Sequence, residues 1–167
     1  MKIISVLIIA ATMVGCKSLH ENLQKPFVAY SGVVPLSETS VIIVRDESAQ
    51  VQSDPRITGV NGKKLDCSLL FCPFWVRVNP GSHTFNAHYR VNHYWGSTSS
   101  GYQYADIEIK VPEMKPGHAY VARYKVYKDK LDADKLAISI EDLGYKPKYS
   151  VKLGLSGLNQ DIYKLEF

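Results

Sequence analysis

The stretch Asn79-Pro80-Gly81-Ser82-His83-Thr84-Phe85-Asn86-Ala87-His88-Tyr89-Arg90-Val91 decides the fold class. Proline presets φ at the second position of a turn and glycine tolerates positive φ at the third, so Asn79 to Ser82 reverses the chain. Beyond the turn, Phe85, Ala87, Tyr89 and Val91 alternate with Thr84, Asn86, His88 and Arg90. Successive strand side chains point to opposite faces, so this period of two predicts a strand with one buried and one wet face.

The same grammar extends in both directions. Upstream, Phe74, Val76 and Val78 share one face of a preceding strand. Within Arg56 to Leu65, Asn61-Gly62 can take the two positive φ angles of a type I′ hairpin turn. Val41-Ile42-Ile43-Val44, inside a strand from Ser40 to Arg45, is a continuous β-branched run, which predicts burial on both faces. Downstream, Ala105, Ile107, Ile109 and Val111 alternate with Asp106, Glu108 and Lys110, and Lys115-Pro116-Gly117-His118 repeats the Pro-Gly turn. Tyr120, Ala122, Tyr124 and Val126 then alternate against a basic, aromatic face of Val121, Arg123, Lys125 and Tyr127. Leu136, Ile138 and Ile140 make a short strand. Val151, Leu153 and Leu155, then Tyr163, Leu165 and Phe167, make two weaker ones. No helical period is sustained after residue 15. The expected class is all-β, an antiparallel β-sandwich forming a single domain over residues 36–167.

The N-terminus has a different character. Lys2 precedes the uncharged run Ile3 to Val14, which is too short for the roughly 20 apolar residues of a membrane-crossing helix and stops at Gly15-Cys16. Met13-Val14-Gly15-Cys16 resembles the lipobox of bacterial lipoproteins. That resemblance implies that residues 1–15 are a cleaved signal peptide, that the Cys16 thiol carries diacylglycerol, and that the rest works in the cell envelope. Lys17, where an aspartate would favour retention at the inner membrane, points by the same resemblance to the outer membrane, facing the periplasm. Residues 16–35, interrupted by Pro26, Gly32 and Pro35, are expected to be a tether reaching about 25 Å. A first strand of Phe27, Val28 and Tyr30 docked on the domain is the equal alternative.

With Cys16 spent on lipid, Cys67 and Cys72 are an even pair in an oxidising compartment and are expected to form a disulfide. Closing so short a loop is worth only about 2 kcal/mol by chain entropy. Zinc would require four ligands, and nothing nearby completes a set with these thiols.

Four stretches look like a group of small, uncharacterised bacterial outer-membrane lipoproteins. They are Ile57-Thr58-Gly59-Val60-Asn61-Gly62-Lys63, Val78-Asn79-Pro80-Gly81-Ser82-His83, Gly117-His118-Ala119-Tyr120 and Ser139-Ile140-Glu141-Asp142. The likeness covers about residues 36–142 and rests on turn chemistry. The Pro-Gly turn also resembles PEGA-type modules, which implies an immunoglobulin-like or PEGA-like sandwich used for surface display or beside glycans, without catalysis.

The sequence carries none of the familiar catalytic patterns. Gly154-Leu155-Ser156-Gly157 places its second glycine one position too early for a nucleophile elbow, and the S-x-x-K, H-E-x-x-H and phosphate-loop patterns are absent. His83, His88 and His93 recur every five residues, which on one strand alternates faces and separates His83 from His93 by roughly 33 Å. Asp129, Asp132 and Asp134 lack the remaining ligands of a calcium loop. No metal or cofactor is expected. The net charge of +4 is too mild to demand an anionic partner, and the compartment argues against nucleic acid.

Two stretches are expected to meet a partner. Leu69, Leu70 and Phe71 form an apolar tip pinned by the disulfide, either an exposed knuckle or part of the core. Tyr94, Trp95, Tyr102 and Tyr104 flank a Gly/Ser loop and suit stacking on sugar rings or on a protein. The expected function is that of a lipid-anchored, non-catalytic module binding an envelope protein or glycan. The alternatives are a purely structural envelope lipoprotein, a lipid-anchored hydrolase, which a pocket joining a histidine to a carboxylate would favour, and a small outer-membrane barrel. For the barrel, Tyr163 to Phe167 resembles an aromatic-ended barrel signal, while most of the expected strands fall short of the roughly 9–11 residues needed to span.

Overall fold

A computed structural model describes residues 23–45, 55–68, 71–95, 99–128, 134–153 and 161–167, and for 91–95, 99–103, 126, 128, 134, 153 and 161 the backbone course alone. The expected signal peptide and Cys16 lie outside these residues. The protein is all-β. Its strands are β1 (Phe27–Val28), β2 (Ser40–Ile43), β3 (Arg56–Val60), β4 (Lys63–Lys64), β5 (Trp75–Val78), β6 (Gly81–Trp95), β7 (Ser99–Met114), β8 (His118–Lys128), β9 (Asp134–Tyr145), β10 (Ser150–Leu153) and β11 (Asp161–Lys164). A five-stranded sheet of order β1-β5-β2-β8-β9 packs on a four-stranded sheet of order β4-β3-β6-β7, and β10 and β11 form a separate ribbon.

The β-branched run sits at the centre of the larger sheet. Ile42 pairs with Val76 on one side and Tyr120 on the other, and Val41 to Val44 are fully buried. Each such side chain contributes about 1.5–3 kcal/mol of burial.

Pairing corrects one expectation. The larger sheet is mixed rather than antiparallel, because β1 runs parallel to β5 and β2 parallel to β8. The chain between β2 and β8 builds β3 to β7 and then re-enters from the end where β2 begins. Two bonds hold that end: the Gly117 amide donates to Thr39 O at 2.7 Å, and Ser40 Oγ donates to Lys115 O at 2.7 Å.

Register assigns the faces of the larger sheet. Ile42, Val76, Tyr120, Ala122 and Tyr124 share the face turned to the second sheet, where the Tyr124 ring stacks on Tyr89 of β6 at 4.7 Å. The opposite face carries Val41, Ile43, Trp75, Arg77 and Val121. Here the ribbon supplies a third layer, with Val151 and Leu165 buried in the common core. The alternation expected for Phe74 to Val78 therefore gives no wet face, and all five residues are buried.

The second sheet follows the turn chemistry. Asn61 (φ 50°) and Gly62 (φ 76°) make the two positive-φ positions between β3 and β4. Asn61 also ties the turn to β6: its Oδ1 accepts from the Thr84 amide at 3.0 Å, and its Nδ2 donates to His83 Nδ1 at 2.9 Å. Phe85, Ala87 and Tyr89 are buried, while Asn86 is exposed and His88 and Arg90 are half-buried on the outer face.

The long strands are longer than periodicity predicts. The β6–β7 ladder continues to Trp95↔Ser99, whereas β3 pairs with β6 only as far as Arg56↔His88. The β8–β9 ladder likewise continues to Lys128↔Asp134, beyond the last β2 pairing at Val121. Among the described residues, two hairpins thus run on past the strands beside them, joined at their base by the Tyr89–Tyr124 stack. Both larger sheets keep open edges, and no barrel closes among the described residues.

At the N-terminal end, Phe27 and Val28 pair with Val76 and Arg77, so the docked-strand alternative describes these two residues.

Candidate functional site

The β6–β7 hairpin positions the most chemically loaded outer face. Cross-strand register sets His88 opposite Asp106 and Arg90 opposite Tyr104. His88 Nδ1 donates to Asp106 Oδ1 at 2.8 Å, and the His88 ring lies 5.4 Å from the Tyr104 ring at a 32° tilt. Tyr104 is 60% exposed, and the Asp106 side chain faces water while that of His88 is mostly covered. Among the described residues, His88 Nε2 is buried without a hydrogen-bond partner. An open aromatic face beside a carboxylate–imidazole pair provides apolar stacking together with directional acceptor capacity.

Of the aromatic residues expected to meet a partner, Tyr104 is therefore presented on this face. The backbones of Tyr94, Trp95 and Tyr102 lie further along the same ladder, and their side chains lie outside the described residues. His88 and Asp106 escaped the sequence reading because their partnership needs the register of two strands joined across residues 96–98. Their alternation phase, outward on both strands, was the available signal.

A second histidine–carboxylate pair closes the other hairpin. His118 Nδ1 lies 2.9 and 3.1 Å from the two oxygens of Asp142, which also accepts from the Gly144 amide at 2.8 Å. Burial pushes the Asp142 carboxyl up, but the His118 and Gly144 hydrogen bonds and the nearby Lys115 charge outweigh it and hold the group below its ordinary value. Tyr145 packs edge-on to the imidazole at 6.1 Å. His83 is a turn fastener, donating from Nε2 to Asn79 O at 2.7 Å. Among the described residues, no group of three or more His, Cys, Asp or Glu is placed to hold a metal.

Cys67 and Cys72 are bonded. Cys72 is buried, Phe71 is 39% exposed, and Leu69 and Leu70 lie outside the described residues. The end of the disulfide loop is held through Arg56, whose guanidinium donates to Cys72 O at 3.4 Å.

The ribbon side of the larger sheet holds two adjoining clefts. The first, of about 520 Å³, is lined by Lys25, Val28, Leu36, Arg77, Ile162 and Glu166 among others; the second, of about 550 Å³, by Lys146, Lys148, Tyr149 and Phe167 among others, and Lys164 lines both. Arg77 is 3% exposed. It donates to Thr39 Oγ1 at 2.8 Å, Leu36 O at 3.4 Å and Glu166 O at 2.5 Å, and stacks under Phe167 at 5.2 Å. Burial lowers its pKa, opposed by the charges of Tyr30 and Glu166. Neither cleft contains a histidine, and both histidine–carboxylate pairs lie on sheet surfaces.

No family model, no curated protein and no solved structure matches the chain.

Proposed function

We propose that the chain is a non-catalytic envelope lipoprotein, anchored through lipid on Cys16 and facing the periplasm, whose β6–β7 hairpin binds an envelope partner. A glycan is the occupant this geometry favours, and the fold is read as a PEGA-like sandwich with one mixed sheet. The observation that carries the binding reading is the exposed Tyr104 ring beside the His88–Asp106 pair, on a hairpin that outruns its neighbouring strand. A sugar presents an apolar ring face to an aromatic side chain and hydroxyls to a carboxylate, and this surface offers both partners side by side. The Pro80-Gly81 turn entering β6 supports the PEGA likeness, and the uncharged run ending at Cys16 supports the anchor.

The test is sedimentation of the purified protein with peptidoglycan sacculi, comparing the wild type with Tyr104→Ala and Asp106→Ala. Retention should fall several-fold in each variant while the unfolding midpoint stays put. Undiminished retention removes the hairpin from the binding surface. If photo-crosslinking from position 104 in cells instead captures one protein, the occupant is a protein. A chain that meets neither leaves the purely structural role.

A further inference from the structure

The ribbon side combines features that the hairpin lacks. The two adjoining clefts are lined by the exposed Lys25, Lys146, Lys148 and Lys164 and by the buried Arg77, and among the described lining residues Glu166 carries the one acidic side chain. Apolar side chains stand exposed among them: Val28 at 49%, Leu36 at 41% and Ile162 at 58% line the first cleft, and Val33, in the loop leading to Leu36, is completely exposed. Lysines around protruding aliphatic groups are the composition of a surface that settles at a bilayer interface, with ammonium groups at the phosphates and methyl groups among the upper acyl chains.

The position of this face in the chain identifies the occupant. Gln24, Lys25 and Pro26 line the first cleft, so the first residues of the described structure run along its wall. Cys16 is separated from Leu23 by a length that cannot exceed about 25 Å when fully extended. We propose that this face, centred on Lys164 between the two clefts, docks on the surface of a bilayer containing anionic phospholipid, the same membrane that holds the lipid on Cys16. The proposal rests on the anchor reading for the identity of that membrane, and it makes the domain lie on the bilayer, with the β6–β7 sheet directed away from it. The two acyl chains of a diacylglyceryl group on Cys16 hold the chain to the membrane, and a basic patch adds the electrostatic attraction that lays the domain against the anionic surface.

The experiment is amine footprinting of the full-length protein reconstituted in vesicles of phosphatidylglycerol with phosphatidylcholine, in vesicles of phosphatidylcholine alone, and in detergent. Labelling of Lys25, Lys146, Lys148 and Lys164 should fall several-fold in the anionic vesicles alone. Lys63, Lys64 and Lys110, on the second sheet, should label equally in all three. The triple variant Lys146→Gln/Lys148→Gln/Lys164→Gln should lose the protection of Lys25, and protection in wild type should weaken at high salt as surface electrostatics are screened.

Equal labelling of both lysine sets in every medium overturns the proposal, because the domain then stands off the bilayer. Protection that persists in detergent alongside a co-purifying protein overturns it too, in favour of a protein partner. The mass of the N-terminal peptide reports lipidation independently. If no diacylglycerol is present, the anchor reading fails, and the face is judged by adding the chain to preformed vesicles, where the same protection pattern sustains it and uniform labelling ends it.

Discussion

Asp142 receives the His118 imidazole and the Gly144 amide on one carboxylate, fastening the first residue of β8 to the end of β9. Because the carboxyl pKa is held below 3.8 in the folded protein, its stabilisation is complete above the unfolded value and is lost as the pH falls through the lower folded value. Asp142→Asn should cost about 0.5–1 kcal/mol at neutral pH, a figure kept small by the 37% exposure of the carboxylate. Urea unfolding from neutral to acid pH should show the gap between wild type and variant closing only below pH 3.8. A gap that stays constant to the lowest pH contradicts the assignment.

Arg77 joins three separated parts of the chain: the Leu36–Thr39 turn, β5 and the C-terminal Glu166–Phe167. Arg77→Ala strands these acceptors and opens a void, so it should lower stability by about 2–4 kcal/mol. Arg77→Lys keeps the charge without the planar fork and should lose about half as much. Denaturant midpoints decide the matter, and a lysine variant equal to wild type would show that charge alone is needed.

Gly117 stands at φ +74°, and a Cβ there would lie 2.4 Å from Tyr145 Cε2. Gly117→Ala should therefore cost about 2–3 kcal/mol, part steric and part conformational. In a Tyr145→Ala background the ring clash is gone and only the Ser37 carbonyl, 3.2 Å from such a Cβ, still presses on it, so the cost should fall to about 1–2 kcal/mol, a non-additivity that thermal unfolding of the four proteins measures directly. Gly62→Ala, at φ +76° with open space around it, should show the conformational part alone.

Reducing the Cys67–Cys72 bond, or replacing both residues with serine, should cost about 2 kcal/mol and leave the fold cooperative, as expected for so short a loop. The near-ultraviolet dichroism of the core aromatics should persist. Its collapse would mean that the bond holds the core as well as the loop.

Local chemistry explains which parts of this architecture were readable. Asn61-Gly62 and Gly117 announced their turns because few residues tolerate those angles, and Phe85, Ala87 and Tyr89 announced a buried face by period alone. The parallel pairing of Ile42 with Tyr120 left no local trace, since it depends on where the chain re-enters after building another sheet. Arg77 looked like a wet-face residue of an alternating strand. It is buried because Glu166 and Phe167, at the far end of the chain, supply the oxygen and the ring that make a covered guanidinium tolerable. On the hairpin, Tyr104 was singled out for being aromatic, while the outward His88 and Asp106 gained meaning only once cross-strand register paired them.

The parallel seam between β2 and β8 imposes an order of events on a growing chain. When Val41 to Val44 emerges, its antiparallel neighbour β5 follows about thirty residues later, but its parallel neighbour arrives only with Ala119 to Val121. Until then an aliphatic β-branched edge is unpaired, the kind of segment that templates intermolecular strands. Closure across such sequence distances belongs to the slow, non-local class of folding reactions. The most buried strand of the finished molecule is thus its most vulnerable during synthesis, and whatever shields Val41-Ile42-Ile43-Val44 in that interval governs the yield of folded protein.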